Sequence, residues 1–154
     1  FWTIGGLDYR RWDHVLLGIG PIGFGASVMV LLARHLNLLA FGEVEARAAG
    51  MPVTAFRLFF LVLASLTTAA GVCISGNIGF VGLVVPHMMR LIVGPDHRRL
   101  LPASLLVGAV FLVLCDSVGR ILLHGMEIRV GIMTAFIGTP YFLYLLRRHM
   151  KTGG

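Results

Sequence analysis

The sequence predicts an all-α protein, a polytopic transmembrane helix bundle with about five spans in one membrane-spanning domain, residues 1–154. Composition is the first reason: 57% of the residues are hydrophobic and 13% are charged, whereas soluble domains carry about 25% charged residues. The second reason is four long stretches without a charged residue, at 15–33, 58–86, 100–115 and 130–146. Because about 20 apolar helical residues cross a bilayer core, these stretches predict an integral membrane protein and exclude a water-soluble globular domain.

The apolar stretches divide into individual spans at glycine and charged residues. The stretch 58–86 is too long for one helix and is interrupted at Gly76-Asn77, so it contributes to two spans. The predicted spans are 13–34, 53–75, 78–93, 100–123 and 129–146. Cys73 and Cys115 lie inside apolar runs, where a free cysteine behaves as a small hydrophobe, so no disulfide is expected.

Basic residues at the ends of the spans predict the orientation of the chain. Cytoplasmic loops of membrane proteins carry an excess of lysine and arginine. With the C-terminus in the cytoplasm, nine basic residues lie inside and four lie outside. We therefore expect a multi-pass protein of the inner (plasma) membrane with a cytoplasmic C-terminus. Charge that is spread over span ends forms no basic face or stripe, so the net charge of +6 does not indicate a nucleic-acid partner.

Glycines inside the spans predict close helix packing. Small residues let membrane helices approach each other, because lipid provides no hydrophobic force between them. Gly76, Gly79 and Gly82 recur every three residues and are expected on one helix face. Gly131, with Ala135 and Gly138, is expected to form a second packing face. Five helices are few for such surfaces, which indicates further helical neighbours.

The first inner loop, residues 35–52, is expected to contain one short helix outside the membrane. Asn37 and Gly42 are poor helix residues, whereas residues 43–49 favour a helix. Glu43 and Arg47 have the favourable i, i+4 spacing. Gly50 then ends the helix. The small alanines of this run suit a surface that lies close against a partner, although short helical connections between packed helices are also common without any such role.

Four stretches carry a resemblance to a known family. They are "LNLLAFGEVEARAAG" at 36–50, "GNIGFVGLVVPHMMRLIVGPDHRRLLPASLLVGA" at 76–109, "CDSVGR" at 115–120 and "VGIMTAFIGTPYFLYLL" at 130–146. In this order they cover almost the whole chain. They resemble the C-terminal half of the FecCD/BtuC-type permeases of ABC importers, which take up iron-siderophores, haem, cobalamin and, in some members, molybdate.

The resemblance implies a function and a set of partners. Such permeases have ten spans, and the chain resembles the sixth to tenth, which implies that it is truncated at its N-terminus. A permease performs no covalent chemistry; ATP and Mg bind to a partner ATPase, and no cofactor of this chain is expected. The implied partners are that ATPase, a second permease copy in a homodimer, an extracytoplasmic substrate-binding protein and the lipid bilayer. An iron chelate is the expected substrate only because it is the commonest in the family.

The resemblance also implies a role for the loop at 35–52. It is similar to the cytoplasmic coupling loop that docks on the ATPase. Carried over residue by residue, the coupling positions are Glu43, Ala46, Arg47 and Gly50. The sequence departs from the family at Arg129, where proline is usual, and at Phe41, where leucine is usual.

The segment "PHMMRLIVGPDHRR" at 86–99 has two interpretations. His87, Asp96 and His97 could be metal ligands, but a zinc site needs convergent ligands and a fourth group, and none lies nearby in the sequence. The favoured interpretation is a helix end and inner turn beside the ATPase, with Asp96 pairing with Arg98 or Arg99. No metal is expected, and the cytoplasmic-interface residues are Pro86, His87, Arg90, Asp96, His97 and Arg98.

Asp116 and Arg120, spaced i, i+4 in an apolar region, raise an alternative function. Charged groups at membrane depth usually pair or face a cavity. A helix-stabilising ion pair near the outer interface is the favoured interpretation. The alternative is a self-standing five-span carrier that is proton-linked through these two residues, and independence from an ATPase would distinguish it.

Overall fold

The chain folds into α-helices throughout the part that the structure, a computed structural model, describes: residues 5–6, 11–122 and 129–152. The helices are α1 (Trp12–Leu31), α2 (Ala33–Phe41), α3 (Glu43–Ala48), α4 (Val53–Ser75), α5 (Val81–Val93), α6 (His97–Leu122) and α7 (Val130–Thr152). Within these ranges no strand occurs. The predicted all-α class is confirmed.

Three of the helices, α1, α4 and α6, are long and apolar enough to cross a membrane. Only 6–11% of the residues in their apolar windows are buried within the chain, so most of their apolar side chains face outward. The apolar helix α5 has 13 residues, which is about 20 Å at 1.5 Å per residue and shorter than a bilayer core is thick. α7 has 23 residues, and its stretch 130–146 carries no charged residue.

The chain crosses from one end of the bundle to the other with each long helix. At one end, here called the Gly5 end, the N–H of Gly5 donates to the carbonyl of Asn77 at 3.0 Å, and Gly131 N–H donates to Gly5 O at 3.0 Å. At the other, the Asn37 end, Asn37 contacts Asp96 and His97. The two connections predicted on the inner side therefore share one end, and 75–78 lies at the opposite end. Most of the predicted connection 124–129 falls outside the described residues.

α6 packs against helices from both the first and the second half of the chain. α1 packs chiefly against α4, and α5 packs chiefly against α6, which also contacts α1, α2 and α7. Two small buried clusters lie near the Asn37 end: one contains Ala46, Met51 and Val53, and the other joins Val85 and Met89 of α5 to Leu100 of α6.

The first predicted span, 13–34, corresponds to α1, but the loop predicted after it is wrong in detail. α1 ends at Leu31, and α2 follows after the single residue Leu32. Asn37, expected outside a helix, lies inside α2. Ala33 is fully buried and the His35 ring stacks on Phe56 at 4.7 Å. Tertiary contacts of this kind override a weak intrinsic helix propensity.

The prediction that Gly76, Gly79 and Gly82 share one helix face is also wrong. Gly76 ends α4 with a φ of 72°, a left-handed conformation that favours glycine. Gly79 lies in the connection, and only Gly82, which is exposed, belongs to α5. The break in the helix at Gly76 removes the periodicity on which the prediction depended.

Candidate functional site

Two glycines delimit the short helix α3 at the Asn37 end. Gly42 precedes it with a φ of 139°, and Gly50 follows it with a φ of 80°. Both values lie in the region that residues with a β-carbon rarely adopt. The helix begins where the sequence predicts and ends at Ala48. The glycines therefore let α3 stand as a separate element between α2 and α4.

Glu43 attaches α3 to α4. Its carboxylate accepts a hydrogen bond from Arg57 Nη1 at 2.6 Å, and Arg47 lies 3.5 Å from its second oxygen. The i, i+4 pair expected from the sequence is therefore formed, while the contact with Arg57 was not anticipated. Half of the Glu43 side chain is exposed, so each pair contributes at most about 1 kcal/mol to stability. Their effect is to orient α3.

The four predicted coupling residues do not all face outward. Glu43, Arg47 and Gly50 are exposed, whereas Ala46 is fully buried. Ala46 packs with Met51 and Val53 inside the chain, so its side chain does not face outward with the other three, and its role in coupling stays a prediction. The small size of Ala46 instead lets α3 lie close to the start of α4.

Two apolar side chains, one at the end of α2 and one within α3, point away from the chain. Phe41 is 79% exposed and Val44 is 76% exposed. Many other large apolar side chains of the described residues are also exposed, so these two do not by themselves mark a contact surface. Phe41 also lines a cleft of about 400 Å³ with Asn37, Ala40, Pro95 and Asp96.

Asn37 joins α2 to the turn between α5 and α6. Its Nδ2 donates to Asp96 Oδ1 at 2.6 Å. Its Oδ1 accepts from the backbone N–H of His97 at 2.8 Å and lies 2.7 Å from His97 Nδ1. Because a carboxylate only accepts hydrogen bonds, this orientation of the amide requires His97 to carry its hydrogen on Nδ1. Sequence reasoning missed Asn37, whose single signal was a polar residue within an otherwise apolar helical run.

Asp96 does not pair with an arginine side chain as predicted. Its carboxylate instead accepts from Asn37 and from the backbone N–H of Arg98 at 3.0 Å. The second bond is that of a helix N-cap residue, and α6 begins at the next position. These two hydrogen bonds, together with the positive charges of Arg98 and Arg99, lower the pKa of the Asp96 carboxyl below its usual value, although burial acts in the opposite direction.

The remaining predicted interface residues lie along α5. Pro86 is inside the helix, and Arg90 lies in its last turn. The His87 ring meets Tyr141 of α7 edge-on, with ring centroids 6.4 Å apart. In the described part of the chain, no group of three or more His, Cys, Asp or Glu residues could hold a metal ion.

An open apolar cleft of about 740 Å³ lies at the Gly5 end, between residues 77–80 and α7. Phe80 precedes α5 with a φ of 67° and packs directly on Gly138. A β-carbon at Gly131 would lie 3.0 Å from Gly5 O. The structure thus places Gly131 and Gly138 at close contacts, whereas Gly79 and Gly82 have open space around them.

Asp116 and Arg120 form the expected pair within α6. Arg120 Nε lies 2.9 Å from Asp116 Oδ2, and the exposed fractions of the two side chains are 57% and 21%. A carboxylate held in an i, i+4 ion pair stabilises the helix.

Comparison with known proteins identifies the family. The FecCD transport family matches residues 1–148. The chain belongs to this family. Its similarity to the permease protein BtuC of a cobalamin import system from Halobacterium salinarum is 47% identity over 96% of the chain and 39% of the relative. The Fe(3+) dicitrate transport permease FecD of Escherichia coli is 44% identical, over 96% of the chain and 46% of the relative.

This member of the FecCD family also has a solved structural neighbour. It is described as an inward-facing conformation of a metal-chelate type ABC transporter, with a TM-score of 0.89 and 38% identity, over 96% of this chain and 48% of the other. The chain therefore spans less than half the length of the relatives it matches. Its relatives are membrane permeases of ABC transporters, and the structure shares their helical fold.

Proposed function

We propose that the chain is part of the transmembrane permease subunit of an ABC importer that moves iron-chelate, haem or cobalamin-type substrates across the inner membrane. The names of the relatives support this substrate class, since they include permeases for cobalamin, ferric dicitrate and hemin. The observation that carries the proposal is α3, a separate helix with an exposed face between two glycines. A helix that lies apart from the spans yet is attached to one of them is suited to transmit motion.

The proposed complex contains an ATPase that binds ATP and Mg and performs the hydrolysis, a second permease copy and an extracytoplasmic binding protein. In this arrangement the Asn37 end faces the cytoplasm, as does the C-terminus. Residues Glu43, Arg47 and Gly50 contact the ATPase, and Ala46 holds α3 to the chain. Movement of α3 then reaches α4 through the bond between Glu43 and Arg57.

Substitutions at Gly50 test the docking of α3. A β-carbon at this position meets no atom within 4 Å, but the φ of 80° strains any other residue. Gly50→Ala therefore adds strain alone, and Gly50→Trp adds the same strain and a large side chain. In the reconstituted complex we expect Gly50→Trp to lower substrate-stimulated ATP hydrolysis by about tenfold or more relative to Gly50→Ala, since an unfavourable change of about 1.4 kcal/mol changes an equilibrium tenfold.

Glu43→Trp and Glu43→Gln form the second matched pair. Both remove the charge that pairs with Arg57, and only Glu43→Trp adds bulk to the exposed face. Membrane insertion should be unchanged in both, because the pair is solvent-exposed and weak. Full transport by both tryptophan variants would contradict the proposed coupling surface.

The self-standing proton-linked carrier is not favoured, because the relatives are ABC-transporter permeases and Asp116 is held by Arg120. Asp116→Asn distinguishes the two functions. Under the permease function the variant loses some stability but retains ATP-driven uptake. Uptake without ATP that stops on this substitution would favour the carrier.

A further inference from the structure

The side chain of Asn37 forms hydrogen bonds with Asp96 and His97, which follow it in the sequence by 59 and 60 residues. We propose that Asn37 is a positioning residue that locks the α2–α3 segment to the start of α6, so that displacement of α3 moves α6 together with α4. This inference rests on the proposed coupling function. It assigns to Asn37, Asp96 and His97 a role in coupling that is separate from docking on the ATPase.

Both the nitrogen and the oxygen of the Asn37 amide contact the turn between α5 and α6. The amide nitrogen donates to Asp96, and the amide oxygen lies within hydrogen-bond distance of two nitrogens of His97. Hydrogen bonds to a charged group are about twice as strong as neutral ones, and the Asp96 partner is a carboxylate. An amide used at both ends holds its two segments in one relative position, which a single bond would not.

The segment between α5 and α6 that Asn37 contacts is a short connection, residues 94–96. α5 ends at Val93, Gly94 follows with a φ of 89°, and Pro95 comes next with no backbone N–H to donate. Asp96 then caps α6 through the N–H of Arg98. The Asn37 amide therefore bonds to the residues that determine where α6 begins, and α6 runs 26 residues to the Gly5 end.

At the Asn37 end of the bundle, two side-chain contacts join the α2–α3 segment to two different helices. Glu43 joins α3 to α4 through Arg57, whereas Asn37 joins α2 to α6. α2 and α3 are separated only by Gly42, so they move as neighbours. If Asn37 is replaced, force on α3 still reaches α4, whereas α6 follows only through its packing contacts with α1 and α2, and ATP hydrolysis continues with less transport.

Three substitutions at this contact provide the test. Asn37→Asp places two carboxylates against each other, and Asn37→Leu removes the amide nitrogen and the amide oxygen together. Asp96→Asn removes the charge but keeps an oxygen that can accept from Asn37 and from Arg98 N–H, as Asp96 Oδ1 does. The complete permease, assembled with its ATPase in proteoliposomes, is assayed for substrate molecules transported per ATP hydrolysed.

We expect Asn37→Asp and Asn37→Leu to lower this ratio about tenfold and Asp96→Asn to keep it within about threefold of the original protein. Basal ATP hydrolysis and recovery of the assembled complex should change by less than about twofold. Ser117→Ala is the matched control, because it removes a side-chain hydrogen bond of 2.8 Å to Val113 O within α6 without disconnecting two helices. Its ratio should be unchanged.

If the original complex transports with ATP and Asn37→Asp leaves the ratio unchanged, the proposed lock is overturned. A ratio for Asp96→Asn as low as that for Asn37→Leu would overturn it as well, since Asp96→Asn keeps the hydrogen bonds on which the lock depends. Absence of ATP-driven uptake by the original complex would instead overturn the proposed function, and the lock with it. A role in folding alone would lower the recovery of complex but leave the ratio of the recovered complex intact.

Discussion

Phe80 has a left-handed backbone, which no other described non-glycine residue adopts. This conformation costs about 1–2 kcal/mol for a residue with a β-carbon, and such outliers persist only where surrounding contacts determine them. The contact here is Gly138 of α7, on which the Phe80 side chain packs. A single residue thereby sets how closely α7 approaches the start of α5 at the cleft.

Gly138→Ala should destabilise the protein by about 1–3 kcal/mol, because the new methyl group would overlap the Phe80 side chain and force it to move. Thermal unfolding of the detergent-purified protein measures the change. Gly79→Ala is the control, since a β-carbon at Gly79 would meet no atom within 4 Å. Equal stability of both variants would contradict the packing role of Gly138.

Asp96 makes the stability of the fold depend on pH, and the sign of this dependence follows from its lowered pKa. A carboxyl group with a lower pKa in the folded state contributes stability that is present above its unfolded pKa, about 4. That contribution is lost as the pH falls through the folded pKa. We therefore expect the difference in Tm between the protein and Asp96→Ala to be constant above about pH 5 and to shrink below about pH 4. A difference that grows on acidification would contradict this assignment.

At the scale of the element, α3 depends on one buried side chain. Ala46 is fully buried, whereas Ala48 on the same helix is exposed. The repeated alanines of this run look equivalent in sequence, but only one faces Met51 and Val53. The helix therefore has an attachment face and an outward face.

Ala46→Leu should lower the free energy of unfolding by about 1–3 kcal/mol through overpacking. Ala48→Leu, which adds the same side chain on the outward face, should change it by less than about 0.5 kcal/mol. Denaturation of the purified protein in detergent compares the two. A larger loss at Ala48 would show that α3 is oriented differently.

At the scale of the whole molecule, apolar side chains dominate the outside of α1, α4 and α6. Such surfaces are stable only in lipid or against other helices. Because the chain spans less than half the length of its relatives, these faces are large relative to the buried clusters. The basic residues at the Asn37 end predict that this end faces the cytoplasm.

A reporter fused after Gly154 tests that orientation. We expect a C-terminal green fluorescent protein to fluoresce, since the C-terminus is predicted in the cytoplasm, and a C-terminal alkaline phosphatase to be inactive. Replacing the basic residues near the Asn37 end, Arg98 and Arg99, with alanine should weaken this bias. An active phosphatase fused to the original chain would reverse the predicted topology.

The sequence by itself determined the fold class, the family and most helix boundaries. α4 covers 53–75 as predicted, α5 and α6 differ from their predicted spans by a few residues, and α3 begins at Glu43. These features depend on local chemistry, because runs of apolar residues, glycine ends and i, i+4 charge spacing are all read along the chain. The coupling residues themselves remain a prediction.

Only the tertiary structure decided which residues of that pattern face each other. Asn37 bonds to Asp96 and His97, Ala46 faces inward, and Gly138 receives Phe80. The sequence indicated Asp96 as an ionic partner for neighbouring arginines, but its side chain accepts from Asn37, 59 positions away, and from the backbone N–H of Arg98. Such contacts depend on how helices pack, and many partners are compatible with the same local sequence until the packing brings one of them within about 3 Å.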